Sequence, residues 1–253
     1  MSPRRGGQST HSGIYYQNSV AALFLGRLCD TTARPSDEQV IQVRTETTDK
    51  VDDIVITFAD DHRLFIQAKE NIATSDQAWK KLWRDFDSQY LSDDFKRGID
   101  RLRLQIGTER GELRFLQPLC QKAASSSNSE EWEKILTVSE KKGLERIKPY
   151  LSHYFWNEDA LQLFFAHVET KVWTLDHIEE DLLYVWLPQT NRPAVELFRL
   201  LRDRVGGEAR VGGSFTAFGL RSSIKGEIPE FEFLDSPDVG KLRQAFRGIN
   251  ATL

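Results

Sequence analysis

A chain of 253 residues, 40% hydrophobic and 11% aromatic, can bury one large core or two small ones. Its formal net charge of −4 argues against a nucleic-acid coat protein, which would be basic, but allows an enzyme in which only a cleft is positive. No apolar run approaches the roughly 20 residues that span a bilayer, so we expect no membrane partner. Two cysteines fit a reducing cytoplasm, the predicted location.

The N-terminal part predicts a tail followed by a helix. Residues 1–12 are polar and contain no apolar segment, so we expect a disordered tail without a signal peptide. Residues 13–30 repeat apolar side chains at spacings of three and four, which predicts a helix. Gln17 falls on its predicted inward face, where packing or hydrogen bonding is the expected role.

Three strands are predicted next, where Val, Ile, Thr and Phe cluster between polar turns. They cover 40–46, 51–58 and 63–68. A helix capped by Ser75 follows, and its apolar stripe consists of Ala78, Leu82, Trp83, Phe86 and Tyr90. Ser92 is the candidate cap of a further helix that reaches Ile99.

A fourth strand is predicted over 101–106, because apolar and polar residues alternate there up to Gly107. The order is therefore helix, three strands, helix, strand (αβββαβ), which predicts an α/β core domain over 13–107. Residues 108–253 are expected to form a mainly α-helical region that serves as a linker or in oligomerisation. The five histidines lack zinc-site spacing and no nucleophile elbow is present, so zinc and acyl-transfer chemistry have little support.

Three polar residues on the predicted strands suggest chemistry. Asp53 enters an apolar run, Gln67 follows after thirteen intervening residues, and Lys69 comes two residues later. Carboxylate and amide oxygens are ligands for Mg²⁺, and an amine can meet a water or a developing negative charge on phosphate. Because strand side chains alternate between faces, the three share a face only if the connecting turn has an odd length or a bulge.

The same residues also fit a simple β-hairpin with solvated polar ends, because the pattern is short. The metal site is supported by the position of Gln67 and Lys69 in an otherwise apolar strand, where buried polar groups need partners. Both interpretations are open at this stage.

Four segments resemble the nuclease modules of bacterial antiphage effectors, which belong to the PD-(D/E)XK (restriction-endonuclease-like) superfamily. They are Gly13-Ile14-Tyr15-Tyr16-Gln17, Glu46, Val51-Asp52-Asp53-Ile54 and Gln67-Ala68-Lys69. The module is similar to double-stranded DNA endonuclease domains that are fused to STAND NTPases or paired with ATPases or cyclic-oligonucleotide sensors. The resemblance covers about residues 13–107 and implies a restriction-endonuclease-like fold.

The resemblance implies a metal-dependent DNA endonuclease that acts in antiphage defence. Asp53, Gln67 and the Ala68 carbonyl would hold Mg²⁺, for which Mn²⁺ could substitute, and Lys69 would serve catalysis. Glu46 could hold a second metal or simply be solvated, and Asp52 would be structural. Many members of the superfamily carry a glutamate where Gln17 stands, so a metal role for Gln17 is weakened.

The expected partners are double-stranded DNA and further copies of the chain, because one active site cuts only one strand. An NTPase or helicase subunit, or a fused NTPase domain outside this sequence, is a further expected partner. The alternative is a module that keeps the nuclease fold but serves binding or oligomerisation without activity.

Overall fold

The computed structural model describes residues 6–30, 32, 34–51, 53–75, 77–108, 110–153, 157–208 and 213–234, with backbone alone for 6–10. The chain forms two compact units. The first contains the described residues within 1–17, 47–55 and 62–174, and the second contains those within 18–46, 56–61 and 175–253. Among the described residues, no helix is both long and apolar enough to cross a bilayer.

The described elements combine strands and helices in an α/β fold, as the sequence predicted. The strands are β1 (Val40–Thr45), β2 (Ile54–Phe58), β3 (Arg63–Lys69), β4 (Arg101–Ile106), β5 (Val168–Val172) and β6 (Ser214–Phe215). The first helices are α1 (Gly6–Cys29), α2 (Gln77–Tyr90), α3 (Leu116–Ser125), α4 (Ser129–Ile135) and α5 (Val138–Ile147). The later ones are α6 (Glu158–Ala166), α7 (Leu183–Trp186), α8 (Ala194–Glu208) and α9 (Ala217–Glu227).

Each unit has its own strands, and β2 is divided between the two units after residue 55. In the first unit the order is β5-β4-β3-β2, and β3, β4 and β5 run parallel. Gln67 is in register with Leu104, and Leu104 with Thr170. In the second unit the order is β2-β1-β6, and β1 and β6 are antiparallel, with Val43 opposite Phe215.

The core of the first unit packs around the indole of Trp83 on α2. Its ring lies 5.4 Å from Trp79, 5.9 Å from Phe86 and 5.7 Å from Phe165, measured between ring centroids. Buried side chains of β3, β4 and β5 belong to the same cluster. Burial of these large rings from α2 and α6 contributes to the hydrophobic stabilisation of this unit.

Several predicted boundaries were wrong. Helix α1 begins at Gly6, so part of the expected tail is helical, and its buried face includes Tyr16 while Ile14 is 51% exposed. The buried stripe of α2 uses Trp79 where Ala78 was predicted. The helix expected from Ser92 is absent, and the segment forms turns.

The C-terminal region is mainly helical, as predicted, but it also holds β5 and β6, which the sequence analysis missed. Strand β5 has only five residues and follows α6 after one residue. The alternation of its apolar and polar residues was therefore not recognised within an aromatic-rich stretch. Helix α8 continues through Gly206 and Gly207. The predicted boundary at residue 107 stays a prediction.

Candidate functional site

The candidate site lies at the carboxyl end of β3. Asp53 stands immediately before β2, one residue earlier than a regular strand position, and Gln67, Ala68 and Lys69 are the last three residues of β3. Because Asp53 precedes the strand, the alternation of side chains along β2 does not fix the direction of its side chain. Asp53 can therefore share a face with Gln67 and Lys69 without a turn of odd length at 59–62. The structure brings Asp53, Gln67 and Lys69 together; Asp52 lies outside the described residues.

One carboxylate oxygen gathers the three neighbours. Asp53 Oδ2 accepts a hydrogen bond from the Ala68 backbone N–H at 2.8 Å and one from Lys69 Nζ at 3.1 Å. Gln67 Nε2 donates to the same oxygen. Three donors on a single oxygen stabilise the ionised carboxylate, and the lysine supplies the opposite charge.

The residues of the cluster differ in their exposure to solvent. The Lys69 side chain is 30% exposed and that of Asp53 is 11% exposed, whereas Gln67 is buried. Gln67 Oε1 is buried without a hydrogen-bond partner among the described residues. A buried amide oxygen of this kind costs about 1–3 kcal/mol, which a ligand could recover.

Tyr16 and Gly107 support the site from behind. The Gly107 N–H donates to the Lys69 carbonyl oxygen at 2.9 Å. A Cβ on Gly107 would lie 2.9 Å from both the Tyr16 ring and the Glu70 Cα, so only glycine allows this approach. Burial raises the pKa of Tyr16, and the nearby Glu70 charge adds to the effect, so its hydroxyl stays neutral.

The oxygen atoms available at the cluster are of the kind that binds a hard divalent cation. Among the described residues, no three His, Cys, Asp or Glu side chains could hold a metal together, so amide and carbonyl oxygens would have to complete the site. A half-turn of the Gln67 amide would present Oε1 beside Asp53. Backbone groups alternate along a strand, and the Lys69 carbonyl faces Gly107, so the Ala68 carbonyl points towards the Asp53 side.

Glu46 and Gln17 are the other predicted site residues. Glu46 follows β1 in the second unit and adopts a left-handed backbone with φ 48°, which is uncommon for a residue with a side chain. Gln17 is half-buried on α1. Sequence reasoning missed the support given by Tyr16 and Gly107, although a glycine directly after a predicted strand was a usable signal of close packing.

No protein-family model matches the sequence, and no curated protein is similar to it. Similar solved structures include a Cap4 SAVED/CARF-domain containing receptor of Acinetobacter baumannii with the cyclic trinucleotide 3'3'3'-cAAA. It is 12% identical over 81% of this chain and 44% of the receptor, with a TM-score of 0.49. A Moraxella osloensis Cap4 SAVED/CARF-domain containing receptor is 15% identical over 79% of this chain and 44% of its own, with a TM-score of 0.44.

These names correct the family and function inferred from the sequence. The chain spans less than half of each of these solved proteins, which are SAVED/CARF-domain containing receptors by name rather than nucleases. The assignment to the PD-(D/E)XK superfamily and the role as a DNA endonuclease effector were therefore wrong, and the alternative of an inactive nuclease module is withdrawn with them. The likeness transfers no ligand or activity to this chain.

Proposed function

We propose that the Asp53 cluster is a Mg²⁺-dependent site that hydrolyses a phosphodiester bond. The proposal rests on one observation, the convergence of the Gln67 amide, the Ala68 N–H and the Lys69 amine on a single oxygen of Asp53 at an exposed strand end. A carboxylate used only for structure would not need a partly exposed lysine or leave a buried amide oxygen without a partner. The substrate class is a phosphodiester, and no nucleic acid is specified.

Each residue has a defined part in this proposal. Asp53, the rotated Gln67 amide and the Ala68 carbonyl would hold the cation. When bound, Mg²⁺ polarises a phosphate oxygen and makes a bound water easier to deprotonate. Lys69 keeps a water or a phosphate oxygen beside the carboxylate and offsets the negative charge that develops in the transition state. The same amine lowers the cost of keeping Asp53 ionised.

The test of catalysis uses bis(p-nitrophenyl) phosphate, a phosphodiester with a coloured product, with Mg²⁺ or Mn²⁺. Lys69→Ala should lower the metal-dependent rate by about 100-fold or more, because the charge on the transition state loses its partner. Lys141→Ala is the matched control, since Lys141 is an exposed lysine on α5. A folded Lys69→Ala protein with the parent rate would refute the role of Lys69.

The test of the metal is calorimetric titration with Mn²⁺. Asp53→Asn should weaken binding strongly, because it removes the carboxylate ligand but keeps the shape of the side chain. Glu46→Gln should leave Mn²⁺ affinity unchanged if the site consists of the Asp53 cluster alone. Equal affinity of the parent and Asp53→Asn would place the metal elsewhere, and Mn²⁺ binding without turnover would exclude the enzyme.

Assembly with further copies or an ATPase, and a cytoplasmic location, stay predictions.

A further inference from the structure

A groove of about 220 Å³ lies between α3 and β5 in the first unit. Its walls are Gln117, Cys120 and Gln121 of α3 on one side and the residues of β5 on the other, and Arg101 at the start of β4 closes one end. The sequence analysis did not single out this region, because it missed β5. Thr170 of β5 and Gln67 of the Asp53 cluster are separated by β4, which places them two strand spacings apart, or about 10 Å.

One edge of the Arg101 guanidinium has no hydrogen-bond acceptor among the described residues, while the opposite corner is held in place. Its Nη1 donates to the Asp100 carbonyl oxygen at 3.1 Å and lies 2.9 Å from His167 Nδ1. These contacts hold one corner of the guanidinium, while the Nε and Nη2 N–H groups have no acceptor among the described residues. That edge is the fork that binds carboxylate and phosphate with two parallel hydrogen bonds.

The charge of Arg101 is not neutralised by its neighbour. Burial lowers the pKa of His167 below its usual value, so the ring is neutral near pH 7 and offers no negative charge in any state. Arg101 forms no ion pair with a described residue. A half-buried guanidinium in this state favours an anion in the groove.

The rest of the lining is rich in donors. The side chains of Gln117, Gln121 and Lys171 make no hydrogen bond or ion pair with any residue that the structure describes. The one carboxylate on the wall, Glu169, is already paired with the guanidinium of Arg103, which compensates its charge. Thr170 is 7% exposed, and its Oγ1 is buried without a hydrogen-bond partner in the described part of the chain.

We propose that this groove binds a small anion whose phosphate or carboxylate head lies against the open edge of Arg101. Gln117, Gln121 and Lys171 then contact the polar remainder of the molecule. The volume of about 220 Å³ lies below the roughly 300–1,000 Å³ of pockets that take drug-sized ligands, which favours a small ligand with such a head on a sugar-sized or amino-acid-sized body.

The test is calorimetric titration of the full chain with ribose 5-phosphate, glutarate and ribose. At least one of the two anions should bind saturably and ribose should not, and the anion that binds tighter identifies the head group. Arg101→Gln should weaken binding by at least about tenfold, the value of a lost charge-assisted hydrogen bond. Lys171→Gln removes an exposed charge without touching the fold and should weaken binding by about twofold to fivefold.

Two controls separate this site from others. Arg146→Gln changes the net charge equally on an exposed part of α5 and should leave the affinity unchanged. Asp53→Asn should also leave it unchanged, so failure of the proposed hydrolysis would not affect this result. The proposal is overturned if neither anion binds, or if Arg101→Gln and Lys171→Gln, both folded by circular dichroism, bind with the parent affinity.

Discussion

Strand β3 has an aspartate cluster at each end, and the two clusters use their carboxylates differently. At its amino end Asp100 receives the Arg63 backbone N–H at 2.8 Å and the Lys96 N–H at 2.9 Å. The Arg63 guanidinium adds Nε at 3.2 Å and Nη2 at 2.7 Å. At its carboxyl end Asp53 accepts hydrogen bonds from the Gln67 amide, the Ala68 backbone N–H and the Lys69 amine.

The difference is in what each cluster leaves open. The side chain of Asp100 is fully buried and Arg63 is 12% exposed, so the pair fixes the turn before β4 to the start of β3. The Asp53 cluster keeps a partly exposed lysine and a buried amide oxygen with no partner among the described residues. Similar residue types therefore make a structural staple at one end and a candidate ligand site at the other. Ligands of parallel sheets also tend to bind at the carboxyl ends of strands.

The largest effect is expected when each carboxylate is removed in turn. Asp100→Ala should lower the free energy of unfolding by about 3–5 kcal/mol, because the Arg63 and Lys96 N–H groups lose their acceptor and the Arg63 guanidinium keeps only the exposed Asp94. Asp53→Ala should cost less, about 1–3 kcal/mol, because the Gln67 amide and the Ala68 N–H lose a buried acceptor but water can reach Lys69. Urea unfolding of both variants measures the difference.

Asp93→Ala is the matched control, since Asp93 is exposed in the same turn segment as Asp94. It should change stability by less than about 0.5 kcal/mol. Equal losses for Asp100→Ala and Asp53→Ala would mean that both clusters are structural, and the proposed site would lose its main support.

A smaller effect is expected at Gly107, behind the Asp53 cluster. The Cβ of Gly107→Ala would lie 2.9 Å from the Glu70 Cα, a backbone atom that can move only with β3. We expect a loss of about 1–3 kcal/mol and a slower hydrolysis, because the shift displaces Lys69. Gly98→Ala is the control, as no heavy atom lies within 4 Å of its new Cβ. If Gly107→Ala matches the control in stability and rate, the support from Tyr16 and Gly107 does not position the lysine.

The smallest effect is a pH dependence at the amino end, next to Asp100. Burial is the main cause that lowers the pKa of His167, so the folded protein binds its proton less readily than the unfolded chain. The contribution of His167 is complete above the unfolded value of about 6.5 and is lost as the pH falls from there through the lowered folded pKa. His167→Gln should remove this part of the slope. Unfolding at pH 5.5 and 7.5 measures it, and an unchanged slope in the variant would assign it to other groups.

Much of the first unit could be predicted from local sequence. The apolar alternation of 101–106 gave β4 with its correct ends, because a half-buried strand needs that pattern whatever surrounds it. The spacing of Asp53, Gln67 and Lys69 also identified residues that meet, since β2 and β3 are joined by a short turn. Local sequence could predict these features because the elements concerned are close in the chain.

Other features of this unit depend on contacts between residues that are far apart in the chain. Asp94 and Asp100 both bind Arg63, 31 and 37 residues earlier, and the segment after Ser92 turns to reach it where local sequence favoured a helix. Tyr16 meets Gly107 across 91 positions, and β5 joins the sheet at Leu104 from residue 170. Long-range contacts of this kind depend on which surfaces pack together. No window of the sequence contains both partners, so the periodicity of neither segment can reveal them.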